Sequence, residues 1–170
     1  LASDDSAPVA RGLGEARMEA SLLAADRGDL PGALTELETS LAEITAWRSR
    51  HGNDDLDHLE ARTLDRAAVW MYQLARQSRS RAEAMPKLEG ALGHHRRARE
   101  LWERMANLPD VQMRADSAQN LVNMSLVLQV LRRGAEAKQF LEEAVQRLEA
   151  LVTDYPASRR RRSELGSARN

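Results

Sequence analysis

The chain contains no cysteine, few aromatic residues and no long apolar run, and each absence excludes a class of protein. Without cysteine there can be no disulfide, no thiolate metal site and no cysteine nucleophile. Aromatic residues make up only 4% of the 170 residues, so the core must consist mainly of Leu, Ala, Val and Met. These residues favour helices over sheets. Because no stretch of about 18 apolar residues occurs, we expect no membrane-spanning segment.

The charges are nearly balanced, and the first residues do not resemble a targeting segment. Lys and Arg number 25 against 26 Asp and Glu, which gives a net charge of −1 and does not favour a nucleic-acid partner. The opening LASDDSAPVARG lacks the basic-then-apolar order of a secretory signal. We therefore expect a cytoplasmic protein that binds neither nucleic acid nor a membrane.

The stretch 119–151 predicts two amphipathic helices joined by a tight turn. The segment 121–131 is apolar on nearly all sides, which is typical of a helix that is covered on several faces. The next segment places five residues on one stripe of a 3.6-residue helix. They are Ala137, Leu141, Ala144, Leu148 and Leu151. Between the two lies Arg132-Arg133-Gly134, whose glycine tolerates the positive φ that such a turn needs.

Turn and breaker residues divide the whole chain into three hairpins of this kind. The predicted hairpins span about 8–50, 54–106 and 109–153, and 157–170 begins a further unit. Gly28 is the expected C-terminal cap of the first helix. Pro86 lies inside the fourth helix, so that helix should start late or kink. The sequence thus predicts an all-α stack of antiparallel helical hairpins, with six long helices and a seventh, in a single domain over 1–170.

One alanine near the start of each second helix aligns the three hairpins. Ala33, Ala84 and Ala137 are spaced by 51 and 53 residues. A small residue at this position lets two helices cross closely, and the Leu four positions later fills the next layer. A neighbouring hairpin then buries what one hairpin leaves exposed. The alternative is that an Ala- and Leu-rich bundle matches itself by chance.

The pattern small-x-x-x-Leu-x-x-Ala after a glycine turn resembles the tetratricopeptide repeat. The turn glycine of that family aligns with Gly28, Arg79 and Arg132. The small residue of its first helix aligns with Ser21, Tyr72 and Ser125. The period here exceeds the usual ~34 residues, so the helices would be longer than in the family. The resemblance implies a superhelical array whose first helices line a concave binding side.

Residues 123–170 are also similar to repeats that follow the catalytic domain in some bacterial serine/threonine protein kinases. The similarity rests on Arg-Arg-Gly-Ala-Glu-Ala, then Leu-Glu-Glu-Ala, then Arg-Arg-x-Glu-Leu. It implies a regulatory region of a larger bacterial signalling protein. Since the chain has no kinase catalytic loop, any kinase activity would belong to another domain.

No catalytic constellation follows from residue spacing, so we expect no enzyme activity, no cofactor and no metal. The segment 12–14 lacks the third glycine of a phosphate loop, and no strand precedes it. His94 and His95 are adjacent and would point about 100° apart on a helix. Asp54 and His58 are four residues apart and could share a metal, although a local charge pair at a helix start is the more ordinary interpretation.

The outward positions of the first helices form the predicted partner-binding surface. In the first hairpin they are Glu15, Met18 and Leu22, and in the other two, which we expect to bind the partner, they are Arg66, Val69, Gln73, Arg76, Gln119, Val122, Leu126 and Gln129. Their mixture of charges, amides and aliphatic groups suits an extended peptide or a partner helix. The alternative is that long helices close the groove, which would make Val122 and Leu126 part of the core.

These features predict a non-catalytic protein-interaction or scaffold module that binds a peptide or partner helix. The alternative function is a ligand-sensing regulatory domain that encloses a small molecule or short peptide. A polar pocket near Gln73, Gln119 and Asn123 would favour it. Self-association into a homo-oligomer is a further expectation, because the apolar end of an unfinished array could pair with a second copy.

Overall fold

The computed structural model describes residues 7–51, 56–105, 110–156 and 158–169, and within these ranges it contains seven α-helices and no strand. The helices are α1 (Ala7–Asp26), α2 (Leu30–His51), α3 (Asp57–Gln77), α4 (Arg81–Arg104), α5 (Val111–Val130), α6 (Gly134–Asp154) and α7 (Arg159–Arg169). The prediction of an all-α fold with six long helices and a seventh is confirmed. We call α1–α2 hairpin 1, α3–α4 hairpin 2 and α5–α6 hairpin 3.

The chain divides into two compact units, Leu1–Leu101 and Trp102–Asn170, with the boundary in the last turn of α4. In the first unit, α1 packs against α2 and α3, and α2 packs against α3. In the second unit, α6 packs against both α5 and α7. Consecutive helices are therefore neighbours within each unit. The single domain predicted over 1–170 stays a prediction.

In the first unit, α3 is held closely against α1. A Cβ added at Gly14 would lie 2.5 Å from Leu59 Cδ2, so a side chain at this position would force the Leu59 side chain to move. Near the other end of α1, Trp70 Nε1 donates a hydrogen bond of 3.0 Å to the buried Ser21 Oγ. The indole is thereby buried with its polar atom satisfied.

Charged side chains connect α2, α3 and α4 in the first unit. Glu60 is 1% exposed and accepts hydrogen bonds from Arg48 and, at 2.5 Å, from Arg97 Nη2. His95 Nδ1 lies 3.1 Å from Asp65 Oδ1 and joins α4 to α3. A buried carboxylate needs such partners, because an unpaired charge in the interior is strongly destabilising.

The core of the second unit is mostly aliphatic. Leu121, Met124 and Leu128 of α5 are completely buried, and Leu148 of α6 is 2% exposed. The seventh helix docks on this core through its buried Ala168. Each fully buried Leu or Met side chain contributes about 1.5–3 kcal/mol relative to solvent exposure, so α5 and α6 form the stable centre of this unit.

All three hairpins turn through three residues and start their second helix in the same way. The turns are 27–29, 78–80 and 131–133. In each, the N–H of the anchor alanine donates to the carbonyl of the residue before the helix, at 2.9–3.0 Å. The donor and acceptor residues are Ala33 and Asp29, Ala84 and Ser80, and Ala137 and Arg133. Ala33 and Ala137 are buried, whereas Ala84 is only half-buried.

The turn of hairpin 1 is a Schellman motif with Gly28 as its left-handed residue. Gly28 has φ 81°, and its N–H donates to Ala25 O at 2.9 Å. The next N–H, of Asp29, donates to Ala24 O at 3.0 Å. This pair of bonds satisfies carbonyls that the helix end would leave without partners. The predicted role of Gly28 as the C-terminal cap of α1 is confirmed.

The turn of hairpin 3 is the same motif without glycine, which corrects the prediction for Gly134. Arg132 has φ 62°, and its N–H donates to Gln129 O at 3.0 Å. The N–H of Arg133 donates to Leu128 O at 2.9 Å. The left-handed residue must be the middle one of the three, and Gly134 comes two positions later, as the first residue of α6. Arg132 therefore has the strained conformation that glycine would adopt freely.

Hairpin 2 turns differently and begins α4 with side-chain caps. Ser78 is extended, with φ −65° and ψ 141°. Ser80 Oγ accepts from the Glu83 N–H at 3.2 Å, and Glu83 Oε2 accepts from the Arg79 N–H at 3.1 Å. Because these bonds fix the first turn, α4 begins at Arg81 and not after Pro86.

Candidate functional site

The four predicted binding residues of α3 form one stripe in the first unit, which we call the α3 stripe. Arg66, Gln73 and Arg76 are exposed, and Val69 is half-buried against the core. The Arg66 guanidinium carbon lies 5.7 Å from the centroid of the Trp70 ring, which is a cation–π contact. This stripe is thus polar and positively charged.

The four predicted residues of α5 form a second stripe, in the second unit, which we call the α5 stripe. Gln119, Leu126 and Gln129 are exposed, and Val122 is half-buried. Leu126 is 42% exposed and Val130, one turn later, is 46% exposed. An apolar pair therefore stands on the open side of a helix whose other sides are buried. Neither stripe contains an acidic, histidine or hydroxyl side chain.

The sequence predicts that a ligand pocket would lie near Gln73, Gln119 and Asn123, but these side chains line neither of the two cavities described below. Gln119 Nε2 donates a hydrogen bond of 3.0 Å to Asn123 Oδ1 within α5. Gln73 is exposed on α3.

A cavity that sequence reasoning missed lies in the second unit, between the end of α4, the start of α5 and the end of α6. We call it the α5–α6 cavity, and its volume is about 210 Å³. It is lined by Trp102, Met105, Met113, Arg114, Ser117, Arg147 and Ala150. The wall combines an aromatic ring, two thioethers and two guanidinium groups, which is the composition of a ligand site.

Hydrogen bonds hold both arginines at the cavity wall. Arg147 donates from Nη1 to Ser117 Oγ and from Nη2 to Glu143 Oε1, each at 2.5 Å. Arg114 Nη2 donates to Asp154 Oδ2 at 2.7 Å. Neither Glu143 nor Asp154 belongs to the cavity wall. The charged groups of the wall are therefore both cations, and each is paired with a carboxylate that is not part of the wall.

A matching cavity lies in the first unit, between the start of α1 and the end of α2; we call it the α1–α2 cavity. Its volume is about 200 Å³, and Trp47 and the partly exposed Val9 and Leu13 form apolar parts of its wall. Ala33 and Ala137 are 104 residues apart in the sequence (137 − 33). With this offset in residue number, five wall residues of the α1–α2 cavity correspond to five of the α5–α6 cavity. Val9, Ala10, Leu13, Glu43 and Ala46 become Met113, Arg114, Ser117, Arg147 and Ala150.

The two cavities have opposite charge at their matching position. Glu43 accepts hydrogen bonds from Arg17 Nε at 2.8 Å and Arg17 Nη2 at 2.7 Å. The hydrogen bonds that Arg17 donates to Glu43 raise the pKa of the Arg17 guanidinium above its ordinary value. In hairpin 3 the equivalent position is occupied by Arg147. At this position a ligand would meet a cation in the α5–α6 cavity and an anion in the α1–α2 cavity.

The adjacent histidines of α4 have different surroundings. His95 lies against Asp65, and burial, together with the neighbouring His95, lowers the pKa of His94. Among the described residues, no three His, Asp or Glu side chains are close enough to hold a metal ion. Asp54, which the sequence paired with His58, lies outside the described residues.

Comparison with protein-family models and with curated proteins finds no match for the chain. No helix in the described ranges is long and apolar enough to cross a membrane.

Proposed function

We propose that the chain is a tetratricopeptide-like helical-repeat module that binds a peptide or partner helix and catalyses no reaction. The three hairpins share their turn length and the position of their anchor alanine, which supports the repeat interpretation. The similarity of 123–170 to kinase-associated repeats makes a regulatory region of a larger bacterial signalling protein the natural context. The cytoplasmic location stays a prediction.

The observation that carries this proposal is the exposed apolar pair on α5. Leu126 and Val130 lie one helical turn apart, with exposed Gln119 and Gln129 along the same stripe. An apolar centre bordered by groups that donate and accept hydrogen bonds is the usual arrangement of a peptide-binding surface. The opposite side of α5 is occupied by the core, so this stripe is the side that a partner can reach.

A peptide-display experiment tests the proposal. Random peptides displayed on phage are panned against the immobilised full chain, and enriched peptides are measured by surface plasmon resonance. Leu126→Asp should weaken their binding about tenfold or more, because a buried aliphatic contact contributes about 1.5–3 kcal/mol. The matched control is Leu23→Asp, since Leu23 is 56% exposed on α1 and lies outside both stripes.

Two outcomes would overturn the proposal. One is that no peptide sequence is enriched over an unrelated helical protein. The other is that Leu23→Asp weakens the enriched peptides as much as Leu126→Asp does, since binding would then follow general hydrophobicity. Sedimentation at several concentrations separates peptide binding from self-association, because a homo-oligomer through α5 would dissociate in the Leu126→Asp variant.

A second candidate function, a ligand-sensing regulatory domain, is favoured by the α5–α6 cavity. Its volume of about 210 Å³ is below the roughly 300–1,000 Å³ that is typical of sites for drug-sized ligands. Its occupant would therefore be a small metabolite rather than a nucleotide or a large cofactor.

A further inference from the structure

We propose that the α5–α6 cavity binds a small carboxylic acid with an aryl or alkyl group. This inference specifies the ligand class of the second candidate function and does not depend on peptide binding at the α5 stripe. Ser117 of the cavity and Leu126 of the stripe are nine residues apart (126 − 117), which places them on opposite sides of an α-helix at about 100° per residue.

The apolar part of the ligand is indicated by the floor of the cavity. Trp102 is 2% exposed, and Met105 and Met113 are half-buried beside it. Methionine side chains adapt to the shape of an apolar group and make favourable contacts with aromatic rings. An aryl or short alkyl group would cover these surfaces and displace water from them.

The carboxylate is indicated by the two guanidinium groups. Contacts among the described residues use two nitrogens of Arg147 and one of Arg114. A guanidinium carries several N–H donors in a planar fork that matches a carboxylate, so each can take a further acceptor. Because Glu143 and Asp154 already orient the arginines, little side-chain entropy is lost when a ligand binds.

The matching cavity of the first unit supplies an internal comparison for charge selectivity. Its wall has Ala10 where the second cavity has Arg114, and Glu43 where the second has Arg147. The first wall thus has one carboxylate, Glu43, and one guanidinium, Arg50, whereas the second has two guanidinium groups and no carboxylate. A ligand carboxylate in the first cavity would meet Glu43, and like charges repel most strongly where water is partly excluded. We therefore expect the carboxylic acid to enter one cavity and not the other.

Each cavity contains one tryptophan, which gives each an independent reporter. Trp102 lines the α5–α6 cavity and Trp47 lines the α1–α2 cavity. The full ¹⁵N-labelled chain is titrated with 3-phenylpropionate, and the three indole N–H signals are followed by NMR. The Trp102 signal should shift saturably, with a Kd of about 1 mM for a ligand of this size. The Trp47 signal should stay in place.

Two analogues of the same shape test the charge. In 3-phenylpropylamine the carboxylate is replaced by an ammonium group, and in 3-phenylpropanol by a hydroxyl group. Both should bind about tenfold more weakly, because neither replacement has the anionic oxygens that accept charge-assisted hydrogen bonds from a guanidinium group. Equal shifts of Trp102 with all three compounds would overturn the proposal, since the cavity would then select apolar groups only.

Variants locate the interaction. Arg147→Gln should weaken 3-phenylpropionate binding about tenfold, and Arg147→Lys should restore part of it by returning the charge. Glu43→Gln is the matched control at the equivalent position of hairpin 1 and should leave the affinity unchanged. Circular dichroism checks each fold. If Arg147→Gln does not fold, Arg114→Gln makes the same test. The partner of Arg114, Asp154, is exposed and stays in contact with water when the arginine is replaced, so this variant should fold.

Further outcomes of the titrations support or overturn carboxylate binding at the α5–α6 cavity. No shift of Trp102 at saturating 3-phenylpropionate overturns the proposal, as does unchanged affinity in folded Arg147→Gln. An N-acetylated tripeptide that ends in phenylalanine and binds where 3-phenylpropionate does not would identify a peptide terminus as the occupant instead. Leu126→Asp should leave carboxylate binding intact, so failure at the cavity and failure at the stripe are distinguishable.

Discussion

In hairpin 1 the residue with positive φ is Gly28, at 81°, and in hairpin 3 it is Arg132, at 62°. Both turns make the same pair of backbone hydrogen bonds, and both lead to a buried anchor alanine. Two different residues thus support one backbone path, because the path is fixed by helix-end hydrogen bonds and by close packing rather than by the turn sequence.

The side chains on that shared backbone differ where a ligand would meet them. The frame that aligns the anchor alanines places Glu43, His94 and Arg147 at one position of the three second helices. The residue that follows it is Ile44, His95 or Leu148, each almost completely buried. The three second helices therefore share one buried position and differ in the charge of the residue before it.

The largest effect is expected from removing the buried aliphatic residue from hairpin 1 and from hairpin 3. Ile44 and Leu148 are each 2% exposed at equivalent positions. Ile44→Ala and Leu148→Ala should each lower the free energy of unfolding by about 2–5 kcal/mol through lost burial and a residual cavity. Urea unfolding followed by circular dichroism measures both. A loss below about 1 kcal/mol in only one of them would break the equivalence.

A somewhat smaller effect is expected from enlarging the anchor alanines. Ala33→Leu and Ala137→Leu should each destabilise by about 1–3 kcal/mol, because neither buried site has room for the added carbons. Ala84→Leu is the matched control, since Ala84 is half-buried, and it should change stability by less than about 1 kcal/mol. Thermal unfolding of the three variants would contradict the account if all three behaved alike.

The turn residues give a smaller effect of opposite sign in the two hairpins. Arg132→Gly should stabilise the protein by about 1 kcal/mol, because the left-handed conformation disfavours a side chain. Gly28→Ala should destabilise it by about the same amount. Chemical unfolding of the two variants tests this pair. A destabilised Arg132→Gly would show that the Arg132 side chain contributes more than its backbone strain removes.

The smallest effect concerns pH and the histidine at the variable position of hairpin 2. Burial first, then His95 and Arg97, lower the pKa of His94, while Glu38 acts to raise it. Below a pH of about 6.5 the unfolded chain therefore binds more protons at this residue than the folded protein does. This contribution to stability is fully present above that pH and is lost as the pH falls from there through the lower pKa of His94 in the folded protein.

His94→Gln measures that contribution. The thermal midpoint of the parent should fall more steeply between about pH 7 and pH 5 than that of His94→Gln. Arg147→Gln, at the equivalent position of hairpin 3, serves as a control with no histidine removed. Parallel pH profiles for the parent and His94→Gln would show that another group accounts for the loss of stability.

Sequence patterns predicted the helices well, because periodicity and breakers such as Gly28 act locally. They missed Arg132, since an ordinary residue in the left-handed conformation leaves no local signal. They also missed the α5–α6 cavity, whose wall brings Trp102, Ser117 and Arg147 together from three helices. Aligning the hairpins on Ala33 and Ala137 would have shown the exchange of Glu43 for Arg147, but only the structure shows that both face a cavity.

The central claim is that the two cavities share one backbone arrangement and differ in the charge at Glu43 and Arg147. The most direct test is a double variant, Glu43→Arg with Arg147→Glu, titrated with 3-phenylpropionate. If the two cavities are equivalent and charge selects the ligand, the Trp102 indole signal should no longer shift and the Trp47 signal should shift instead. A signal that still shifts at Trp102 as in the parent, with Trp47 unmoved, would contradict the account.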